Sequence, residues 1–339
     1  MQLYYLKQNK LMEKTVFIGA DVSKKTIDFC SIQENLETQI LNEDKCLMEL
    51  VKQLLAKGIQ MDNVWIVFEH TGMYSEPLAE FCSREGIRYS QVPALDIKRS
   101  MGLTRGKSDK VDAMRICKYA IEKKDRLIAE SPLNKSLSQM KRLLHLRDKL
   151  VSQRAGYQTT LKELREVLKL KSSAIELKVQ GSLVKVLTTQ ITKIEKEIKA
   201  IINEDNSVKK NAELLVSIKG VGFIIAAYII VYTQNFTRFQ NSRKFSCYCG
   251  TAPFPHQSGT SIRGKTRVSH LANKRLKSLL EMGARTAIQY DPEIKQFYLN
   301  RVEKGKNKTS TLNIVRNKLI GRMFAVIKKQ QPYEIKFAA

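Results

Sequence analysis

Short apolar runs alternate with helical spacings over the first third of the chain, and helical spacing then takes over. Thr15–Gly19 (TVFIG) reads as a strand ending at Asp21, and Thr26–Ile32 as a second strand beyond a polar Ser23-Lys24-Lys25 turn. Asn63–Phe68 (NVWIVF) reads as a buried strand ending at Glu69, with another over Ile87–Val92. Before the first of these, Leu47, Leu50, Val51, Leu54 and Leu55 carry a helical period over Asp44–Lys57. Ser75–Glu85 reads as a helix with Pro77 in its first turn, where the missing N–H costs nothing. A helix over Ser108–Lys123, starting at a Ser108 cap, closes the set. This alternation predicts a mixed α/β domain over residues 12–130, behind a loose tail of which Met12 is the alternative initiator.

Beyond Pro132 no proline occurs until Pro253. Leu187, Ile191, Ile194, Ile198 and Ile201 step by 4, 3, 4 and 3, and Leu143, Leu146 and Leu150 keep the same rhythm one arm earlier. The region 131–210 therefore reads as an antiparallel helical pair or a dimerising coiled coil, turning near Ser172–Gly181. The remainder, 211–339, reads as mostly helical around one irregular loop, Gly250–Gly264. In its last long helix, Leu312–Lys329, the spacing buries Ile314, Val315, Leu319, Met323 and Ile327 and leaves Arg316, Lys318 and Arg322 free for phosphates.

Charge narrows the function. The 339 residues hold 59 Lys and Arg against 33 Asp and Glu, a formal net charge of +26, which points to a polyanionic partner. No apolar run reaches the roughly 18 residues of a membrane span. Val221–Tyr232 reads instead as a buried helix. Six scattered cysteines without a CxxC pair argue against zinc and for free thiols in a reducing cytosol.

Against this basic background Asp21, Glu69, Asp109 and Asp112 stand out. Asp109 and Asp112 share one helix face at i and i+3, and Asp21 and Glu69 end strands. A strand ending in Asp, a later strand ending in Glu and two Asp on a closing helix match the ribonuclease-H and Holliday-resolvase topology. Such carboxylates repel one another unless a cation sits among them. Hard oxygens suit two Mg²⁺ ions about 4 Å apart, one activating a nucleophile and one stabilising a leaving oxygen. Asp28, Asp62 and Asp96 read as surface or turn residues.

Two further segments carry chemistry. Ser217-Ile218-Lys219-Gly220-Val221-Gly222, before an apolar helix, reads as a helix-hairpin-helix whose glycines and following N–H groups approach a phosphate, or equally as a turn between packed helices. In the Gly250–Gly264 loop, Ser258 and Ser261 are equal candidates for a nucleophile. Arg263, Lys265 and Arg267 are placed to hold a phosphate beside them, and Lys274 and Arg275 extend the basic run.

Taken in order, Ile18-Gly19-Ala20-Asp21-Val22-Ser23-Lys24, Phe68-Glu69-His70-Thr71-Gly72-Met73-Tyr74, Lys107-Ser108-Asp109-Lys110-Val111-Asp112-Ala113 and Ser258-Gly259 with Arg263-Gly264 resemble the "insertion sequence 110" transposases and the related Piv-type DNA invertases. The resemblance covers nearly the whole chain. It implies a RuvC-like domain with the DEDD motif on Asp21, Glu69, Asp109 and Asp112, a coiled coil, and a C-terminal transposase domain with its nucleophile on Ser258. It also implies a structured noncoding (bridge) RNA that pairs with donor and target DNA, and dimers that assemble into tetramers. One departure is Ser269-His270-Leu271-Ala272, where many relatives carry Ser-Lys-x-Gly; Arg267 and Lys274 are the compensating cations.

The expectation is a cytoplasmic, nucleoid-associated recombinase that cuts and rejoins DNA through Ser258 with Mg²⁺ at the acidic site. A metal-dependent junction resolvase using water would need the carboxylates but not Ser258. A non-enzymatic basic coiled-coil protein would need neither, and an invertase would share the chemistry but act on inverted repeats.

Overall fold

The structure, a computed structural model, describes residues 15–100, 109–130, 134–258, 262–269 and 271–334; the side chains of 255–258, 262, 263 and 265 lie outside that description. The expected N-terminal tail, the Ser108 cap, Ser261 and His270 fall outside it as well. The chain divides into two compact units, one up to Asn134 and one from Lys135 onward.

In the first unit a five-stranded sheet is ordered β3-β2-β1-β4-β5, from β1 (Val16–Val22), β2 (Thr26–Ser31), β3 (Leu36–Leu41), β4 (Val64–Glu69) and β5 (Arg88–Val92). β1, β2 and β3 pair antiparallel, while β4 lies parallel to β1 and β5 parallel to β4. Side chains alternate across the sheet. Val16, Ile18, Ala20, Ile27, Phe29, Ile66 and Phe68 pack with Leu47, Leu50 and Leu54 of α1 (Asp44–Ala56) and Leu78 and Phe81 of α2 (Glu76–Arg84). Phe17, Trp65, Val67 and Val92 face the other way, against Ile97 of α3 (Ala94–Ser100) and Ile116 and Ala120 of α4 (Asp109–Glu122).

Two elements differ from the sequence reading. β1 runs one residue past Asp21, because pairing with β2 carries it on to Val22. β3 was not anticipated: its LETQIL is half polar, as suits an edge strand with one face in water, and its burial alternates along its length.

The second unit begins with α5 (Lys135–Glu166) and α6 (Ile175–Glu204). Arg147 Nε donates to Glu195 Oε1 at 2.7 Å and Arg154 Nη1 to the Thr188 hydroxyl at 3.4 Å, so one helix rises as the other falls. They are an antiparallel pair, and Gly181 lies within α6 rather than in the turn. α7 (Asn206–Val216), α8 (Phe223–Thr233), α9 (Ser242–Tyr248), α10 (Lys274–Tyr290), α11 (Pro292–Glu303) and α12 (Lys308–Lys329) follow. α8 (FIIAAYIIVYT) is buried almost all round, as its uniform hydrophobicity requires, and centres a core with Met140, Leu144, Ile198, Leu280 and Leu319. Asp205, Asn241, Asn273, Asp291 and Asn307 accept backbone N–H bonds at the N-termini of α7, α9, α10, α11 and α12. Among the described residues no helix is long and apolar enough to cross a membrane.

The loop expected over Gly250–Gly264 contains a hairpin of β6 (Pro253–Ser258) and β7 (Ile262–Val268). Its prolines hid it. Pro253 is the first residue of β6, and Pro255 falls where the register slips between Phe254 and His256, the two strand sites that dispense with an N–H.

Candidate functional site

Strand register assembles the acidic row. Phe17 pairs with Trp65 and Gly19 with Val67, so Asp21 and Glu69 stand next in line on the face that carries α4. Across the other edge of β1, Asp21 is directly opposite Asp28. α4 descends onto this face at Gly19: a Cβ there would lie 2.2 Å from the Ala113 carbonyl oxygen and 2.3 Å from the Cys117 nitrogen. The Cys117 thiol donates to the Phe17 carbonyl at 3.4 Å, so the helix runs opposite to β1 and its first turn reaches the Asp21 end. That turn carries Asp109 and Asp112.

Electrostatics agree with this placement. Burial first, then the charges of Asp109, Asp112, Glu69 and Asp28, raise the Asp21 pKa to about 6. Burial and then Asp112 raise that of Glu69 as well. Asp112 accepts from Arg115 Nη1 at 2.7 Å, one turn along the helix. Among the described residues no three His, Cys, Asp or Glu side chains are drawn into one preformed ligand set. The donor chemistry nonetheless fits a hard divalent cation: all four side chains offer carboxylate oxygens, and those of Asp21 and Glu69 are partly buried and face like charge.

Asp28 departs from the sequence reading. It is not a surface or turn residue but 3% exposed, with both oxygens accepting from Gln39 Nε2 at 3.1 and 2.9 Å. The signal that would have found it is the register of the β1–β2 hairpin, which a two-residue period fixes once the turn is known.

The serine segment is held from below. Register sets Ser258 opposite Ile262 at the far end of the hairpin and Gln257 opposite Arg263. At the near end the Thr251 carbonyl accepts from Asn313 Nδ2 at 2.8 Å and Asn317 Nδ2 at 2.9 Å, both on α12. A Cβ on Gly250 would meet the Ala272 Cβ at 2.3 Å, so the two feet of the hairpin touch. Thr251, Asn313 and Asn317 were invisible in the sequence, being far apart in the chain and unremarkable in type.

The expected phosphate contacts divide in two. Lys219, Gly222, Arg267 and Lys274 are exposed. Gly220 is committed to packing: at φ +94° its Cβ position lies 2.4 Å from the Gly283 carbonyl, so this turn meets α10, while nothing crowds Gly222. Three arginines are not free as expected. Arg316, 5% exposed, donates to Glu281 at 2.8 Å. Arg322 pairs with buried Asp291 at 2.6 Å and with Glu293 at 2.7 Å. Arg275 pairs with Asp148, which also accepts from the Tyr228 hydroxyl. Helical spacing identified the helix that carries Arg316 and Arg322 but could not show acidic partners on α10 and α11. Lys318 covers the Phe297 ring at 4.4 Å. The side chains of Ser258, Arg263 and Lys265 lie outside the description.

Comparison with known proteins names the class that this sheet and acidic row define. Residues 18–172 match a family described as a transposase, the DEDD type of IS110. Residues 212–299 match the family described as Transposase IS116/IS110/IS902. Over 335 residues the chain is 26% identical to the pilin gene-inverting protein of Moraxella bovis, covering 95% of this chain and 98% of that protein. The protein of the same name from Moraxella lacunata matches over the same 335 residues, again at 26% identity. A 43.6 kDa protein of insertion element IS110 from Streptomyces coelicolor is 27% identical over 156 residues, 45% of this chain and 38% of that one. The chain belongs to the IS110 family of transposases, enzymes of DNA recombination. Its DEDD domain suggests a nuclease-like active site dependent on a divalent metal.

Proposed function

We propose that this transposase cuts and rejoins DNA with Ser258 as nucleophile and Mg²⁺ held by Asp21, Glu69, Asp109 and Asp112. The observation that carries the reading is the gathering of Glu69, Asp109 and Asp112 about Asp21 at one end of β1, where burial first and then their charges raise Asp21 to about 6 in a chain of net charge +26. Bound there, Mg²⁺ supplies Lewis-acid stabilisation of the phosphate and of the departing oxygen. The Ser258 oxygen forms a bond to phosphorus as a deoxyribose oxygen leaves, and a DNA hydroxyl later reverses the exchange. The bond is conserved in the phosphoserine, so no nucleotide is consumed.

Lys219, Gly222, Arg263, Lys265, Arg267 and Lys274 are the phosphate contacts in this reading. A structured noncoding RNA of the bridge type supplies sequence choice by base pairing, and the protein grips backbone. A homodimer, assembling further to a tetramer, is the working unit. It is supported by an exposed apolar stripe on α6, Ile175, Val179, Leu183 and Val186, which the α5 partner leaves uncovered.

A covalent-trapping experiment tests the chemistry. Protein, RNA transcribed from the flanking DNA, Mg²⁺ and end-labelled donor DNA are run on a denaturing gel. A shifted DNA–protein band, lost in both Ser258→Ala and Asp21→Asn, is the expected result. Cleavage without that band and indifferent to Ser258→Ala makes the protein a water-using resolvase instead. The full-length match to pilin gene-inverting proteins favours a second reading, inversion of a DNA segment. Inverted repeats around a switched segment beside the gene decide for it.

A further inference from the structure

The β1–β4 ladder ends at Ala20 and Phe68, one residue short of both strand carboxylates. Past that point one chain turns through Ser23-Lys24-Lys25 into β2 and the other through 70–75 into α2. Asp21 still pairs with Asp28 and Glu69 with Val92, but the spacing of the two turns beyond them is set outside the β1–β4 ladder.

Asn42, just after β3, lies between these turns. Its Nδ2 donates to the Ser23 carbonyl at 3.2 Å and to the Tyr74 carbonyl at 2.9 Å. Its backbone N–H donates to the Lys25 carbonyl at 2.9 Å. Both side-chain partners are carbonyl oxygens, so the nitrogen end of the amide must face them, and the orientation follows from chemistry alone.

Each turn is stiff in its own right. Ser23 Oγ donates to the Thr26 carbonyl at 2.8 Å and accepts from the Thr26 N–H at 3.0 Å. On the other side the Thr71 N–H donates to the Glu69 carbonyl at 3.0 Å, and Ser75 Oγ donates to the Gly72 carbonyl at 3.1 Å. A tie between two stiff turns transmits position rather than being absorbed by slack. Asn42 Oδ1 and Thr71 Oγ1 are also buried oxygens with no hydrogen-bond partner among the described residues, so the amide is held here at the expense of its own acceptor.

We infer that Asn42 is a positioning residue of the acidic site. Its carboxamide ties the strand end bearing Asp21 to the strand end bearing Glu69 and so sets the span over which the carboxylates receive a divalent cation. The inference rests on the metal-site reading proposed above.

The test is the Mn²⁺ dependence of thermal unfolding in the full chain without nucleic acid, for wild type, Asn42→Asp, Asn42→Ala, Asn42→Ser and Asp21→Asn. Aspartate keeps the shape and removes the donor, alanine removes both, and serine keeps one donor. Loss of a residue that orients ligands raises the Mn²⁺ midpoint about 10-fold in the Asp and Ala variants. Serine falls between these and wild type, and cation-free melting changes little. The Mn²⁺ needed for half-maximal DNA cleavage follows the same order. Should the Asp variant not fold, the Ser and Ala variants carry the comparison. Wild-type Mn²⁺ midpoints in folded Asn42 variants overturn the inference alone. A wild type that does not respond to Mn²⁺, or an Asp21→Asn variant that responds equally well, overturns the metal site and the inference with it.

Discussion

Asp21 holds its proton to about pH 6, against an ordinary value of 3.8, chiefly because it is buried and then because Asp109, Asp112, Glu69 and Asp28 face it. The folded state therefore binds that proton more tightly than the unfolded chain. The stability linked to it is present in full below pH 3.8 and is lost as pH rises through about 6. Asp21→Asn is expected to raise the melting temperature of the metal-free protein near neutral pH and to flatten its change over that window. Thermal melts of both proteins across the window, with chelator, check this; an unchanged profile refutes it. Asp28→Asn keeps an oxygen for Gln39 and removes one of the charges on Asp21, so the same profile should move to lower pH. The order Asp, Glu, Asp, Asp was legible because Asp21 and Glu69 end apolar runs and Asp109 and Asp112 share a helix face at i and i+3. Asp28 was not, because only the register of β2 against β1 decides which face its side chain takes, and a one-residue slip reverses it.

At the scale of elements, α4 and β1 are matched at one glycine. Gly19→Ala puts a methyl into the helix backbone and should cost at least the ~1–3 kcal/mol of an overpacked core. It should also lift Asp109 and Asp112 away from Asp21. Urea unfolding reads the first effect and the loss of Mn²⁺-induced stabilisation reads the second. On α12, Arg322 neutralises Asp291, which is fully buried and caps α11. Arg322→Ala strands that charge and is expected to destabilise by roughly 3–5 kcal/mol, whereas a phosphate contact would leave urea unfolding unmoved. The sequence predicted that helix and the buried Val315, Leu319 and Met323, since a 3.6-residue period needs only local information, but Ile314 and Ile327 are only half-buried. What its arginines touch depends on helices that begin far earlier in the chain. The β6–β7 hairpin was lost for a different reason. Prolines speak against strands in general, and only a two-stranded ribbon with a register slip gives both of them a place.

For the whole molecule, the excess of positive charge predicts that binding to DNA of arbitrary sequence weakens steeply and log-linearly with salt. Since Arg275, Arg316 and Arg322 are engaged internally, replacing Arg267 and Lys274 should lower the slope of that line, and filter-binding over a salt series measures it. The apolar stripe on α6 gives a second molecular prediction. Val179→Glu with Val186→Glu, both about half exposed, should leave the monomer folded and shift its sedimentation toward the single chain. A wild type already monomeric at high concentration would remove that use of the stripe. That alternating strands and helices give way to long helices was readable from the change of period alone. The serine segment's support was not, because it comes from Thr251, Asn313 and Asn317, whose types announce nothing.

Because Gly250 and Ala272 are in contact, everything between them is a closed excursion from the helical unit. Its ends need no span to rejoin, and a short splice closes them at little entropic cost. The hairpin is therefore a removable cassette. A chain with residues 252–271 replaced by a brief glycine linker should keep its helices while lacking Ser258 and the cations Arg263, Lys265 and Arg267. Such a chain would separate the share of DNA affinity that the helices hold from the share that the excised ribbon carries along with its serine.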